Sequence, residues 1–141
     1  GGCLLATGRG EKIEKLPTRE FPVSLIKPKE LGISAKEAYT KFSQLKQKPD
    51  LDMTFKMIDS IKIGTDVRQF LHNDLEVAVF DDYKELQEIK SAIPQAIMSG
   101  SGSTYFAITD NIPTISDKYW VKTGLKSIST GVEICEQKLL V

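Results

Sequence analysis

Met98-Ser99-Gly100-Ser101-Gly102-Ser103-Thr104 runs directly into Tyr105-Phe106-Ala107-Ile108-Thr109. The second half of this stretch is a β-strand by composition, because aromatic and β-branched residues pack well on a pleated surface. Gln95-Ala96-Ile97-Met98 before the glycines reads as a partner strand, so the whole is a hairpin with a Gly/Ser loop at its tip. Glycines let backbone N–H groups approach an anion without a Cβ in the way, and serine hydroxyls add donors; such a loop suits a phosphate or diphosphate. A plain flexible turn is the alternative. The loop is not a Walker phosphate loop, since no Gly-Lys-Ser/Thr follows, and Gly-x-Ser-x-Gly cannot be laid over residues 99–103.

Upstream of the hairpin the chain alternates between strand and helix signals. Residues 12–16 suggest a weak edge strand ended by Pro17. Phe21 to Lys27 is a stronger strand, closed by Pro28. Ser34 caps a helix through Ala35, Ala38, Tyr39, Phe42 and Leu45. Lys48-Pro49-Asp50 stops it, and Asp50 caps the next, with Leu51, Phe55 and Ile58 on one stripe, ended by Gly64. A helical stretch passes through Val67, Phe70 and Leu71. Asn73 caps another turn, with Glu76 placed as in a capping box. Asp81 or Asp82 starts a helix carrying Tyr83, Leu86, Ile89 and Ile93, and Pro94 ends it. After a turn-rich connection from Asp110 to Lys118, Tyr119-Trp120-Val121 and Leu125 to Ile128 are the last strand candidates. The Met and Phe residues at helical spacing are expected in the core. Together these elements predict an α+β fold, an antiparallel sheet packed against several helices.

The totals narrow the function. The chain has 141 residues, enough for one domain or one lobe of a larger protein, and its 19 basic residues equal its 19 acidic ones. That balance gives no expectation of nucleic-acid binding. No apolar run approaches a membrane span, so no membrane partner is expected. Two distant cysteines, Cys3 and Cys135, with a lone His72, make no zinc pattern and read as reduced thiols. The opening Gly1-Gly2-Cys3-Leu4 reads as the middle of a fold, and hence as a fragment.

The loop and the strand after it resemble the third conserved motif of the GHMP kinases, and within that superfamily the diphosphocytidyl methylerythritol kinases. Gly8-Arg9-Gly10-Glu11 is similar to the family's Gly-x-Gly-Glu. Leu25-Ile26-Lys27-Pro28, with Ile33-Ser34 and Ala38-Tyr39, resembles the strand and helix start near the substrate. Asn73-Asp74-Leu75-Glu76 is similar to the family's Asn-Asp-Leu-Glu, in spacing as well. The resemblance covers nearly all of residues 1–109 and is weak after 110.

The resemblance implies a GHMP kinase C-terminal domain-like fold over 17–141, with 1–16 as the end of the N-terminal lobe or the connection to it. It implies ATP and Mg²⁺ as cofactors, phosphorylation of the 2-hydroxyl of a diphosphocytidyl small-molecule substrate, and a location in the bacterial cytoplasm or plastid stroma. The catalytic Asp and Lys and the ATP-phosphate loop of the family belong to its N-terminal half, so no catalytic residue is expected here, and activity is expected to require that lobe as partner. This half would supply Ser99, Gly100, Ser101, Gly102 and Ser103 near the phosphates, with Ser34 and Lys27 as substrate-wall candidates. Ser34-Ala35 departs from the family's frequent Ser-Thr, which removes one hydroxyl and leaves Ser34 foremost an N-cap. Asn73 and Asp74 are expected to be structural, as helix cap and local hydrogen-bonding pair. Gly8-Arg9-Gly10 marks a turn, Lys29 a solvated surface, and His72 local structure. Two other readings stay open: a non-catalytic α+β interaction module, which predicts a large apolar patch, and a GHMP kinase lobe for another alcohol.

Overall fold

The computed structural model describes residues 2–46 and 48–131. A first hairpin pairs β1 (Leu4–Thr7) with β2 (Lys12–Lys15) as a two-stranded sheet of its own. Its turn is Gly8-Arg9-Gly10-Glu11: both glycines have positive φ, and the Glu11 carboxylate accepts the Arg9 N–H. The motif is a turn, as its composition predicts. β1 escaped the sequence reading because four residues without clear alternation carry little signal.

The main sheet is antiparallel, in the order β4 (Ile97–Met98), β5 (Tyr105–Ala107), β3 (Pro22–Pro28), β6 (Tyr119–Lys126). β3 is central because its alternation is strict. Ser24, Ile26 and Pro28 are buried, while Val23, Leu25 and Lys27 are half-buried on the other face. Opposite them Tyr105 and Ala107 turn inward and Phe106 outward, in the register Leu25 to Phe106 and Ile26 to Tyr105. Ser24, buried on the core face, is satisfied because its hydroxyl donates to the Thr109 carbonyl at 2.7 Å. The two late strand candidates are one strand, β6, and the expected strand over 95–98 is shorter, because Pro94 and Gln95 stay in the turn after the last helix.

Helices cover one face. α1 (Ala35–Gln44) is capped by Ser34, whose hydroxyl accepts the Glu37 N–H at 3.1 Å. α2 (Leu51–Ile63) is capped by Asp50 and ends on Gly64 in the left-handed conformation. α3 (Asp74–Val79) and α4 (Lys84–Ala92) follow, with short 3₁₀ turns at Arg68–Phe70 and Phe80–Asp82. Asp81 and Asp82 do not start α4. They sit in the 3₁₀ turn, where Asp82 pairs with Lys41 at 2.8 Å, and Tyr83 takes the cap position without a capping side chain. The core joins Ile26, Ala38, Val79, Leu86, Ile89, Ile93, Met98 and Tyr105, with Ile33 and Tyr119 at its margin.

Not every apolar helix position is core. In α2 only Ile58 of its stripe is buried; Phe55 is 61% exposed and Leu51 57%. The reason is that α2 lies against the 3₁₀ turn at Arg68–Phe70 rather than on the sheet, which is occupied by α3 and α4. Tyr39 on α1 is exposed for a similar reason: α1 buries only Ala38, against α3. Cys3 forms no disulfide among the described residues, and Cys135 lies outside them.

Three tyrosines shape the response to alkali: Tyr83 joins the start of α4 to α1, Tyr119 joins β6 to α4, and Tyr105 is buried in the core. The Tyr83 hydroxyl donates to Glu37, and Tyr119 donates to Glu88 at 2.7 Å, beside Lys118. Tyr105 is fully buried. The hydrogen bond to Glu37 raises the Tyr83 pKa, and burial raises those of Tyr105 and Tyr119. Each folded phenol therefore keeps its proton where the unfolded chain, with pKa about 10, has lost it. The stabilisation is complete below that pKa and declines as pH rises past it. Urea midpoints measured from about pH 8 to about pH 11 should fall steadily in the upper part of the range; a flat profile would contradict the assignment.

Candidate phosphate-facing loop

The loop at 99–104 closes with two backbone hydrogen bonds, Ser99 N–H to Thr104 O at 2.8 Å and Gly102 N–H to Ser99 O at 3.1 Å. Gly100 (φ +58°) and Gly102 (φ +92°) take conformations costly for other residues, and the Gly102–Ser103 peptide is cis. The N–H groups of Gly100, Ser101 and Ser103 have no protein acceptor among the described residues, and neither do the hydroxyls of Ser99 and Ser101. Four of these donors, the N–H groups of Gly100 and Ser101 and the hydroxyls of Ser99 and Ser101, stand on exposed or half-buried residues and are thus available to an anion. The space beside Gly100 is open, with no atom within 4 Å of where a Cβ would stand.

Ser103 differs from the other two serines. It is 2% exposed, and its hydroxyl donates to the Leu31 carbonyl at 2.5 Å. Lys27 reaches the same place: its ammonium donates to Leu31 O at 3.0 Å and to the Ser103 hydroxyl at 3.4 Å. Lys27, named from sequence as a substrate-wall candidate, thus braces the end of the loop, with its charge 5.9 Å from the Trp120 ring. Ser34 is engaged as the α1 cap and lines a different cavity, with Lys36, Glu37, Thr40, Lys41 and Gln44. Its neighbour Ile33 is the nearer to the loop, its Cδ1 lying 3.3 Å from where a Gly102 Cβ would stand.

The other side of the loop is held by the first turn of α3. Asn73 caps the helix, its Oδ1 accepting the Leu75 N–H at 2.9 Å. The same side chain donates to Met98 O at 2.7 Å and to Gly100 O at 2.8 Å. Glu76 is not the second half of a capping box. Its carboxylate is turned inward, accepts the Met98 N–H at 2.9 Å and lies 3.5 Å from the Lys90 ammonium. Burial wins over the local motif here because Met98 is a buried strand residue whose N–H would otherwise go unpaired. Asp74 is half-buried beside a cavity of about 520 Å³ lined by Met57, His72, Asn73, Ser99, Gly100 and Phe106, among others. His72 spans from Phe70 O (Nδ1, 2.9 Å) to Thr54 Oγ1 (Nε2, 3.1 Å); a carbonyl only accepts, so Nδ1 carries the proton. It is a strut between α2 and the turn before α3. The reach of Asn73 and Glu76 to the loop was missed by sequence reasoning; their strict spacing to the loop was the one available sign.

No family model matches the chain. Curated relatives do. A 4-diphosphocytidyl-2-C-methyl-D-erythritol kinase of Caldanaerobacter subterraneus subsp. tengcongensis is 31% identical over 95% of this chain and 51% of its own length. That of Carboxydothermus hydrogenoformans is 32% identical over 87% of this chain and 45% of its own length. The chain is a relative of the C-terminal part of these kinases. It spans about half the length of the curated relatives it matches. A crystal structure of 4-(cytidine 5'-diphospho)-2C-methyl-D-erythritol kinase superimposes with a TM-score of 0.57 at 22% identity, covering 76% of this chain and 40% of that one. The fold is therefore that of the C-terminal α+β domain of such a kinase, as the sequence resemblance implies.

Proposed function

We propose that this chain is the C-terminal lobe of an ATP-dependent kinase that phosphorylates the 2-hydroxyl of 4-diphosphocytidyl-2-C-methyl-D-erythritol. The observation that carries this reading is the loop at 99–103, where the N–H groups of Gly100 and Ser101 and the hydroxyls of Ser99 and Ser101 have no partner among the described residues, in a chain related to those kinases along almost all its length. ATP supplies the transferable phosphoryl group. In such transfers protein groups mainly position the reactants and offset charge on phosphoryl oxygens, for which fixed N–H donors are well suited. The donors of Gly100 and Ser101 fit phosphate oxygens. Among the described residues no cluster of His, Cys, Asp and Glu is arranged to hold a metal, so in this reading Mg²⁺ is bound through the nucleotide and through residues of the other lobe.

The catalytic Asp and Lys are assigned to that N-terminal lobe, the partner of residues 17–141, with 1–16 as the connection. The separate β1–β2 sheet is in keeping with that boundary. The lobe would cover the outer face of the main sheet, where Leu25 and Phe106 are half-buried and Trp120 is 59% exposed. An interaction module would show a similar face, so assay must separate the two readings. In this reading the reaction runs in the cytoplasm of a bacterium or in a plastid stroma, and the bacterial origin of these relatives supports the first. No helix among the described residues is long and apolar enough to cross a membrane.

The test is phosphoryl transfer from Mg-ATP to the diphosphocytidyl substrate by this chain alone, by this chain mixed with the N-terminal half, and by the undivided protein. Silence alone and turnover on mixing is the expected result. An inert undivided protein would leave the interaction-module reading in place; turnover of a different alcohol would replace the substrate.

A further inference from the structure

We infer that Asn73 is a positioning residue that sets the shape of the 99–103 loop, in addition to capping α3. The inference rests on the reading of that loop as phosphate-facing. An amide side chain carries one acceptor oxygen and two N–H donors. Asn73 uses all three at good distances. The oxygen takes the Leu75 N–H at 2.9 Å, which is the ordinary cap, and the NH₂ spans two carbonyls, Met98 O at 2.7 Å and Gly100 O at 2.8 Å. Those carbonyls belong to the last residue of β4 and the second residue of the loop, so one side chain fixes the angle at which the loop leaves the sheet. Among the described residues the N–H groups of Gly100 and Ser101, next to the clamped carbonyl, have no protein acceptor. Glu76, one turn along α3, takes the Met98 N–H, so the helix grips Met98 through both of its backbone polar groups.

The capping and clamping roles can be separated chemically. Serine and aspartate both cap helices well but offer no NH₂ to the two carbonyls. In the full-length protein, Asn73→Ser and Asn73→Asp should keep the amides of Val77 and Ala78 as protected from hydrogen exchange as in the parent. The amides of Ser99 and Gly102, which close the loop, should exchange about tenfold to thirtyfold faster, from two lost hydrogen bonds of about 1 kcal/mol each. The KM for Mg-ATP should rise by at least about tenfold, with kcat changing less. Glu76→Gln retains an acceptor for the Met98 N–H and should leave loop exchange near the parent value, which guards against a general effect of mutating this helix. The clamp is overturned if Ser99 and Gly102 exchange unchanged, or if α3 loosens together with the loop in both Asn73 variants, since that is what a cap alone would do. If the loop loosens and nucleotide KM does not move, the positioning of phosphates is overturned along with the phosphate reading of the loop, while the exchange data still report the contact itself.

Discussion

Gly102→Ala should destabilise the fold by about 3 kcal/mol, the sum of a backbone and a packing cost. The backbone cost follows from φ +92°, where an L side chain is strained by roughly 1–2 kcal/mol. The packing cost follows from where the methyl would go: 2.7 Å from the sulfur of Met98 and 3.3 Å from Cδ1 of Ile33. Met98 is 1% exposed and Ile33 7%, so both side chains would have to shift within the packed core to admit the methyl. Gly100→Ala is the control. It shares the positive φ, but its Cβ would meet nothing within 4 Å, so about 1 kcal/mol of strain is expected and no clash. Chemical denaturation of the two variants side by side checks the difference; equal losses would mean that conformational strain alone decides and that the contact with Met98 and Ile33 is soft.

Ile26→Ala is expected to cost about 3–4 kcal/mol, toward the upper part of the range for aliphatic truncation in a core. Ile26 is fully buried at the centre of β3, with Tyr105 on β5 and Val121 on β6 as its cross-strand partners. Truncation leaves a gap in the core cluster that Ile26 shares with Tyr105, and the strands on either side cannot close it without breaking ladder hydrogen bonds. Such a loss is a large fraction of the stability of a domain this size. Leu25→Ala, one residue away on the half-buried outer face, should cost far less in this chain alone. Measured urea midpoints should separate the two clearly; similar losses would mean that the outer face is already packed.

Much of this architecture was legible because it is local. Ser34, Asp50 and Gly64 mark helix ends through hydrogen bonds and backbone conformations confined to a few residues, and the strict alternation of Pro22–Pro28 needs no knowledge of what covers it. The Gly/Ser loop was legible as a turn for the same reason. What stayed hidden depends on distant partners. The pattern Asn73-x-x-Glu76 looks like a cap and its box, yet 22 residues separate Glu76 from the Met98 N–H it takes, and Asn73 reaches over 27 to the Gly100 carbonyl. Lys27 looks like a surface cation until the chain returns 76 residues later with Ser103. Phe55 has the spacing of a core residue, but periodicity says only that a helix has two faces; α3 and α4 fill the sheet and leave α2 at the margin. Corrections of this kind arise wherever tertiary competition decides between two locally equal outcomes.

The bulge in β6 has a consequence for solubility. The strand has β3 on one side and no strand on its other side among the described residues, so its eight residues form a row of main-chain groups that another chain could adopt. Its pairing with β3 slips between Val23 and Leu25, and Gly124 stands there at φ +69°. The irregularity bends the ribbon, and Lys122 and Lys126 place positive charge along it. One glycine and two lysines thus guard against fibril-like stacking at the edge where the sheet is longest.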